Sequence, residues 1–256
     1  MTHAPARKKR RWVGPVVILS ILVILIVAAF LVAEKLARDA AETAITKPIQ
    51  DALGTDQKVD VDFGGGFLIL QALGGSVDEV TVTASDVAFA GASGDIVLTA
   101  AGVPLNIEGT VASLGATVSI DESSIQALVP ALSGTGGTVT FENDQLVLTT
   151  QADILGQSVP VVIVLVPSAA NGMLSFEPVS MTVNGDDVSI DDVRAGAYGP
   201  GPAAMLTPPS VCVAELLPAS LTLSSAGITG KSLVLGFAGS EVSLAGGGFT
   251  TKGSCA

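Results

Sequence analysis

The feature that most constrains this chain is an uncharged apolar run of 21 residues, Val13–Ala33. As a helix it would be ~32 Å long, which is enough to cross the hydrocarbon core of a bilayer. The basic residues 7–11 precede the run, and Trp12 stands at its start. Because positive charge stays on the cytoplasmic side, we expect a basic cytoplasmic tip at residues 1–12 and a single-pass transmembrane helix at 13–33. Residues 34–256 then form an extracytoplasmic domain at the cell membrane.

The alternative interpretation of the same run is a cleaved secretory signal. The apolar core of a signal peptide is usually about 7–15 residues long and ends in a small-x-small site. This run is longer, and Leu31 in Leu31-Val32-Ala33 is not small. The length favours an uncleaved anchor, with cleavage as the open alternative.

The charges of the chain are divided between its two ends. The net charge is −12, but five of the 12 basic residues lie before residue 12 and no acidic residue precedes Glu34. The part after residue 33 therefore has 7 basic and 24 acidic side chains, a net charge of −17. Such a domain repels polyphosphate, which excludes nucleic acid as a partner. It is also repelled by anionic headgroups, so contact with a membrane must come from the anchor and from apolar residues.

The segment after the anchor has helical periodicity. Apolar residues recur at spacings that place them on one stripe of a helix from Glu34 to about Leu53. The stripe predicts a helix that packs in the following domain, because a solvated stalk would not need it. We expect a kink or restart near Lys47 on account of Pro48. The stripe consists of Leu36, Ala40, Ala44, Ile45, Ile49 and Ala52.

After Val59 the period of the sequence changes to two. Alternation of apolar and polar residues indicates strands with one buried face, and glycine-rich turns between them favour antiparallel pairing. We also expect a fully covered strand at Val159–Val166, a short helix near Glu122–Leu132 and a long surface loop at Ala195–Ser210. The sequence therefore predicts an α+β protein with one β-rich domain. The alternating segments are 59–63, 80–83, 138–141, 179–183, 188–190, 221–223 and 241–244.

The two cysteines, Cys212 and Cys255, both follow the anchor. An even pair in an oxidising compartment predicts a disulfide. It would close a loop of 43 residues and stabilise the fold by about 4 kcal/mol in the chain-entropy model.

The sequence lacks the residues that several kinds of catalysis and metal binding require. The single histidine is His3, so the outer domain has no Ser-His-Asp or Cys-His machinery and no histidine zinc site. Ser76, two residues before Asp78, is typical of a turn serine rather than a nucleophile. The acidic pairs within Asp186–Asp192 are oxygen ligands that calcium prefers, but their spacing does not match an EF-hand, and solvated turns are the favoured explanation. We expect no metal and no cofactor, and an enzyme is less expected than a binding protein.

The order of these features resembles the LmeA-like phospholipid-binding family of actinobacterial cell-envelope proteins. The resemblance begins with a helix after the anchor and a strand leading into a Gly-Phe-Pro-Phe-Leu-like stretch, and it ends with strands near Leu244. Gly66 stands where the family has proline. The matching segments are Val59–Gly75, Val77–Val82, Asn171–Pro178, Cys212 and Leu217-Pro218 before Leu221-Thr222-Leu223.

The resemblance implies the tubular lipid-binding type of fold, in which a curved antiparallel sheet wraps a long helix around an apolar groove. It further implies a membrane-anchored protein that binds phospholipid or another envelope lipid, with transfer left open. One family member is associated with phospholipase activity, so a lipid-modifying enzyme is an alternative, and a non-catalytic envelope scaffold is another. Phe67–Leu70 is interpreted as a buried strand or short helix, a lid, or a lipid-dipping loop. The candidate lipid contacts are Leu36, Ile45, Ile49, Phe63, Phe67, Leu68, Ile69, Leu70 and Leu73.

Overall fold

In the computed structural model the N-terminal region is one continuous helix, α1 (Val13–Leu53), of 41 residues. Its rise makes it ~62 Å long. The structure describes residues 13–53, 57–89, 92–106, 108–126, 137–154, 157–199, 203, 206, 210–243 and 251–255, so the predicted basic tip at 1–12 lies outside it. Within this described part, one helical segment, Ser20–Lys47, is long and apolar enough to be a candidate membrane span.

The expected restart of the helix near Lys47 is wrong, because α1 continues to Leu53. A proline removes one N–H from the hydrogen-bond ladder, which bends a helix without necessarily ending it. The nine large apolar side chains between Ile21 and Val32 that face outward are each at least 50% exposed. This portion of the helix therefore lacks a protein partner of its own, as a membrane span would.

The rest of the chain forms two antiparallel sheets, which confirms the α+β prediction. The first sheet has six strands. In spatial order these are β1 (Val59–Gly64), β2 (Ser76–Phe89), β3 (Ala92–Pro104), β4 (Thr110–Asp121), β12 (Ser232–Ser243) and β11 (Thr222–Thr229).

The second sheet is built from the middle of the chain. Its order is β10 (Val211–Cys212), β8 (Met173–Val183), β7 (Gln157–Ala170), β6 (Gln145–Ile154) and β5 (Thr138–Glu142), and β9 (Asp186–Val188) also pairs with β8. The short helices are α2 (Leu68–Gly74), α3 (Glu122–Gln126) and α4 (Ile190–Arg194), and Ala214–Leu216 forms a 3₁₀ turn.

Two of the local predictions need qualification. The expected strand at 188–190 is wrong, because β9 ends at Val188 and the Ser189 hydroxyl accepts a hydrogen bond from the Asp192 N–H (3.4 Å), which caps α4. The predicted helix near Glu122 is present as α3, but its expected continuation to Leu132 lies outside the described residues, as does half of the loop at 195–210.

The main core lies between the two sheets. Phe237 and Leu235 of β12 pack in one cluster with Phe141 of β5 and Phe176 of β8. The alternation of each strand supplies one apolar face, and the two apolar faces bury each other.

The long helix lies against one end of the first sheet. α1 packs beside β1, an edge strand of that sheet, and beside α2, in a small separate cluster that also includes Val77 and Val80 of β2 and Val103 of β3.

The predicted disulfide is confirmed by the position of the two cysteines. Cys212 on β10 and Cys255 are bonded, with their Cα atoms 5.9 Å apart. The C-terminal segment also pairs with the chain just after β10, where the Ala219 N–H donates to the Thr251 carbonyl (2.8 Å) and Gly253 N–H to the Leu217 carbonyl (3.1 Å). The disulfide thus fastens a segment that otherwise has only a few backbone hydrogen bonds.

We predict that Cys255→Ser lowers the free energy of unfolding by about 2–4 kcal/mol, because the open chain gains conformational freedom when it unfolds. Urea denaturation of the full chain in detergent measures this. Cys212→Ser and the double variant should lose the same amount, since all three lack one bond. A double variant as stable as the wild type would contradict the prediction.

A glutamate joins the two sheets at their common end. Glu122 of α3 accepts hydrogen bonds from the Phe141 N–H on β5 (2.7 Å) and from Lys231 Nζ in the β11–β12 turn (3.0 Å). The Phe141 N–H and then the Lys231 ammonium hold the pKa of Glu122 below its usual value, although partial burial opposes them.

This lowered pKa predicts a pH-dependent stability. Because the folded state holds the proton more weakly than the unfolded state, the contribution is present above the ordinary pKa of about 4.3 and is lost as the pH falls through the lower folded value. The unfolding midpoint of the wild type should therefore fall more steeply than that of Glu122→Gln below about pH 4.3. Glu177→Gln, at an exposed position on β8, is the control and should follow the wild type. Equal slopes for wild type and Glu122→Gln would refute this role.

Candidate functional site

The face of α1 that meets the β domain begins at the end of the apolar run. Phe30, Glu34, Arg38, Ala41 and Ile45 recur every three or four residues, so they share one side of the helix. Glu34 is only 6% exposed, although it is the first charged residue after the run. A buried carboxylate requires hydrogen-bond donors around it.

Those donors come from the start of α2. The Glu34 carboxylate accepts hydrogen bonds from the backbone N–H groups of Leu68 (Oε1, 2.6 Å) and Ile69 (Oε2, 3.0 Å). The N-cap position of α2 is Phe67, whose side chain makes no capping hydrogen bond. Glu34 therefore supplies, from 34 residues away, the cap that the local sequence lacks.

Arg38 extends this network to the strand before α2. Its Nε donates to Glu34 Oε1 (2.9 Å), and its Nη1 donates to the Phe63 carbonyl at the end of β1 (2.6 Å). Its Nη2 donates to the Gly66 carbonyl. One carboxylate and one guanidinium on α1 thus satisfy both the N–H groups and the carbonyls of the β1–α2 connection.

The connection itself depends on two glycines. Gly65 and Gly66 have φ angles of +79° and +109°, and a Cβ at Gly65 would lie 2.5 Å from the Cβ of Asp78. Proline is restricted to a φ near −65°. The glycine at 66, where the resemblance leads one to expect proline, therefore belongs to a backbone conformation that proline cannot adopt.

An apolar pocket of about 510 Å³ lies between α1, α2 and the edge of the first sheet. We call it the α1–α2 pocket. Every described residue that lines it is apolar: Ala37, Ala41, Ile45, Phe63, Leu68, Ile69, Ala72, Leu73, Val77, Val80, Val103 and Leu105.

The pocket has a buried floor and an exposed rim. Phe63, Leu68 and Val77 are buried and form one cluster with Ala41 and Ile45, whereas Leu73 is 81% and Leu105 55% exposed. Such a lining can hold a hydrocarbon chain through the hydrophobic effect and offers no donor, acceptor or charge to a headgroup. The polar part of a ligand would therefore remain at the rim.

The predicted lipid contacts fall into three groups. Ile45, Phe63, Leu68, Ile69 and Leu73 line the pocket. Phe67 and Leu70 do not line it and are 45% and 55% exposed on or next to α2, so Phe67–Leu70 is neither a strand nor a loop but mostly the first turn of a short helix.

The remaining two predicted contacts are Leu36, which does not line the pocket, and Ile49. Leu36 is 63% exposed, because residues two positions from Glu34 point to the other side of the helix. The side chain of Ile49 lies outside the described residues. Ala40 and Ala44 are exposed as well, so the helical stripe proposed from the sequence is rotated from the face that packs.

Sequence reasoning missed the two residues that organise the site, Glu34 and Arg38. Neither belongs to the apolar stripe that the sequence pattern selects. The available signal was their i, i+4 spacing directly after an apolar run, which places an acid and a base on one side of the helix. Ala37 and Ala41, three and seven residues after Glu34, lie on that same side.

The described residues do not form the other sites considered from the sequence. Among the described residues no group of three or more His, Cys, Asp or Glu side chains is placed to hold a metal. Asp187 accepts from the Thr182 hydroxyl (3.0 Å), and Asp191 pairs with Arg194 (3.5 Å). Ser76 starts β2 and pairs with Pro104 of β3, and it is not among the residues that line the pocket.

Comparison with known proteins gives one match. The model of a family described as LmeA-like phospholipid-binding matches residues 32–238, about four fifths of the chain. The match confirms the resemblance noted from the sequence, and it begins at the end of the apolar run, just before Glu34. Neither a curated protein nor a solved structure matches the chain significantly.

We predict that Glu34→Ala increases amide hydrogen exchange at Leu68 and Ile69, because their N–H groups lose the only acceptor that the structure gives them. Glu34→Gln should lie between Ala and the wild type, since its amide oxygen still accepts one hydrogen bond. Exchange resolved by mass spectrometry on the full chain in lipid nanodiscs measures this.

The matched control is Asp39→Ala, which removes an exposed carboxylate from the same helix. It should leave the exchange of both amides unchanged. If Glu34→Ala exchanges as slowly as the wild type at these amides, Glu34 does not cap α2.

Proposed function

Because the chain belongs to the LmeA-like phospholipid-binding family, we propose that it binds a phospholipid with an acyl chain in the α1–α2 pocket while α1 anchors it in the membrane. The family supports lipid binding as such. The pocket, the anchor and their connection are the specific parts of the proposal.

The observation that supports the proposal most is the position of the pocket on the helix that is a candidate membrane span. Ala37, Ala41 and Ile45 line the pocket from α1. They lie four to twelve residues after Ala33, or ~6–18 Å along the helix axis from the end of the apolar run. A lipid chain leaving the bilayer beside α1 would meet the pocket within its own length.

The size and chemistry of the pocket agree with this ligand. Its volume of about 510 Å³ falls within the range of roughly 300–1,000 Å³ that is usual for small-molecule sites. Each square ångström of hydrocarbon removed from water contributes about 25 cal/mol. Because the lining has no polar group among its described residues, recognition of the headgroup would depend on residues at the rim.

The proposed topology follows from charge. The basic residues 7–11 stay cytoplasmic by the positive-inside rule, residues 13–33 cross the cell membrane, and residues 34–256 lie outside, in the cell envelope. The acidic domain, residues 34–256, then lies on the side of the membrane opposite the cytoplasm. It thereby avoids the anionic lipids of the cytoplasmic leaflet, which would repel it.

The alternatives receive no support from the pocket. A phospholipase needs a nucleophile and a proton acceptor at the ligand, and the described lining supplies neither. A scaffold would not need an apolar cavity.

We predict that a phospholipid with a photoreactive group near the end of its acyl chain crosslinks to the pocket when the full chain is reconstituted in nanodiscs. Peptides containing residues 37–45, 68–80 and 103–105 should be labelled. Ala41→Phe should abolish or strongly reduce this labelling, because the added ring occupies the space between α1 and Leu68. Peptide mass spectrometry measures both results.

The matched control is Ala40→Phe, which adds the same ring to the exposed side of α1. It should leave the labelling unchanged. Labelling within residues 13–33 provides an internal standard, and its presence in protein purified from membranes also shows that the anchor has not been cleaved. No pocket labelling in the wild type, with normal labelling of the anchor, would overturn the proposal.

A further inference from the structure

Two large apolar side chains at the start of α2 neither line the pocket nor pack in the core. Phe67 is 45% and Leu70 55% exposed, and the pocket-rim residues Leu73 and Leu105 are exposed beside them. We call these four residues the juxtamembrane apolar face. We propose that this face inserts into the leaflet that α1 leaves at Ala33, so that the α1–α2 pocket opens directly into the bilayer.

The position of α2 relative to the apolar run supports this occupant. The rings of Phe30 and Phe67 meet edge to face with centroids 5.1 Å apart, and Phe30 lies inside the run. The Leu68 N–H is 2.6 Å from the Glu34 carboxylate. The first turn of α2 is thus held at the level of residues 30–34, where the run ends. Leu70 lies within one helical turn of Leu68, a rise of ~3 Å.

The backbone at the start of α2 also has the hydrogen bonds that a region poor in water requires. An unpaired N–H or C=O group is costly in contact with lipid. The N–H groups of Leu68 and Ile69 are bound by Glu34, and the carbonyls of Phe63 and Gly66 by Arg38. The Leu70 and Gln71 N–H groups both donate to the Phe67 carbonyl (3.1 Å each). These backbone groups at the start of α2 are therefore satisfied within the protein.

The apolar face also explains how a domain with a net charge of −17 stays in contact with lipid. Charge would repel it from anionic headgroups, and the span alone would leave it free to tilt away. Exposed apolar side chains next to a span are covered by the same hydrocarbon that covers the span, without a further partner. Insertion of the face rests on the membrane anchor of the proposed function, and delivery of a lipid chain to the pocket from this leaflet rests in addition on its lipid binding.

The test uses the single tryptophan of the chain, Trp12. In a Trp12→Phe background, Leu70→Trp places the only tryptophan on the apolar face. The full chain is reconstituted into phosphatidylcholine vesicles whose acyl chains are brominated near the headgroup. We expect the emission of this variant to be quenched relative to unbrominated vesicles and shifted to the blue. The control is Val179→Trp in the same background, at a site 48% exposed on β8, which should show neither change.

A second variant separates the bilayer from a lipid bound in the pocket. Ala41→Phe added to the Leu70→Trp protein fills the pocket, and quenching should persist if the bromines belong to the bilayer. Three outcomes would each overturn insertion. Quenching could disappear with Ala41→Phe, or the emission could equal that of the Val179→Trp control. The third outcome is a blue shift without quenching, which indicates burial against a second copy. If quenching persists but the pocket fails to crosslink to the lipid, insertion of the face stands and lipid binding in the pocket is refuted. If the pocket crosslinks but the tryptophan is not quenched, lipid binding stands and insertion is refuted.

Discussion

The site depends on one buried carboxylate. Glu34 has lost most of its water, and the backbone N–H groups of Leu68 and Ile69 together with Arg38 replace it. Hydrogen bonds to an ionised group are directional and stronger than neutral ones. They fix α2 at a defined level and orientation relative to α1, which apolar contacts alone would not do, because hydrophobic packing is non-directional. The edge-to-face contact of Phe30 with Phe67 follows from that placement.

The pocket is a consequence of this connection combined with small side chains. α1 and α2 are tied at one end by Glu34 and Arg38, and farther along α1 presents Ala37 and Ala41 to the gap. Closely packed interiors leave few voids larger than a water molecule. The pocket of about 510 Å³ lies between elements that are joined at one edge by hydrogen bonds from Glu34 and Arg38 to backbone groups, and these bonds hold that edge in place.

The parts of the fold that sequence predicts well are those with a strong period. The uncharged run ending at Ala33 and the alternating strands, such as Val59–Phe63 in β1, needed only local information. The existence of two sheets was not predictable, because alternation shows that a strand has one buried face and not which surface covers it. The sequence pattern selects the wrong face of α1 for a related reason. It favours Leu36, which is apolar and periodic, whereas the face that packs is determined by Glu34 and Arg38, whose partners are backbone groups that no side-chain pattern reveals.

The use of backbone partners also bears on specificity within the family. A side chain that binds the N–H of Leu68 or the carbonyl of Gly66 is indifferent to the residue types at those positions. The constraint on the β1–α2 connection is therefore the course of its backbone, which at Gly65 and Gly66 has positive φ angles. Arg38 binds the carbonyl of Gly66 in a conformation that glycine adopts and proline cannot. What the arrangement requires is an acid and a base at i, i+4 where the apolar run of the helix ends, and a short helix that begins at their level.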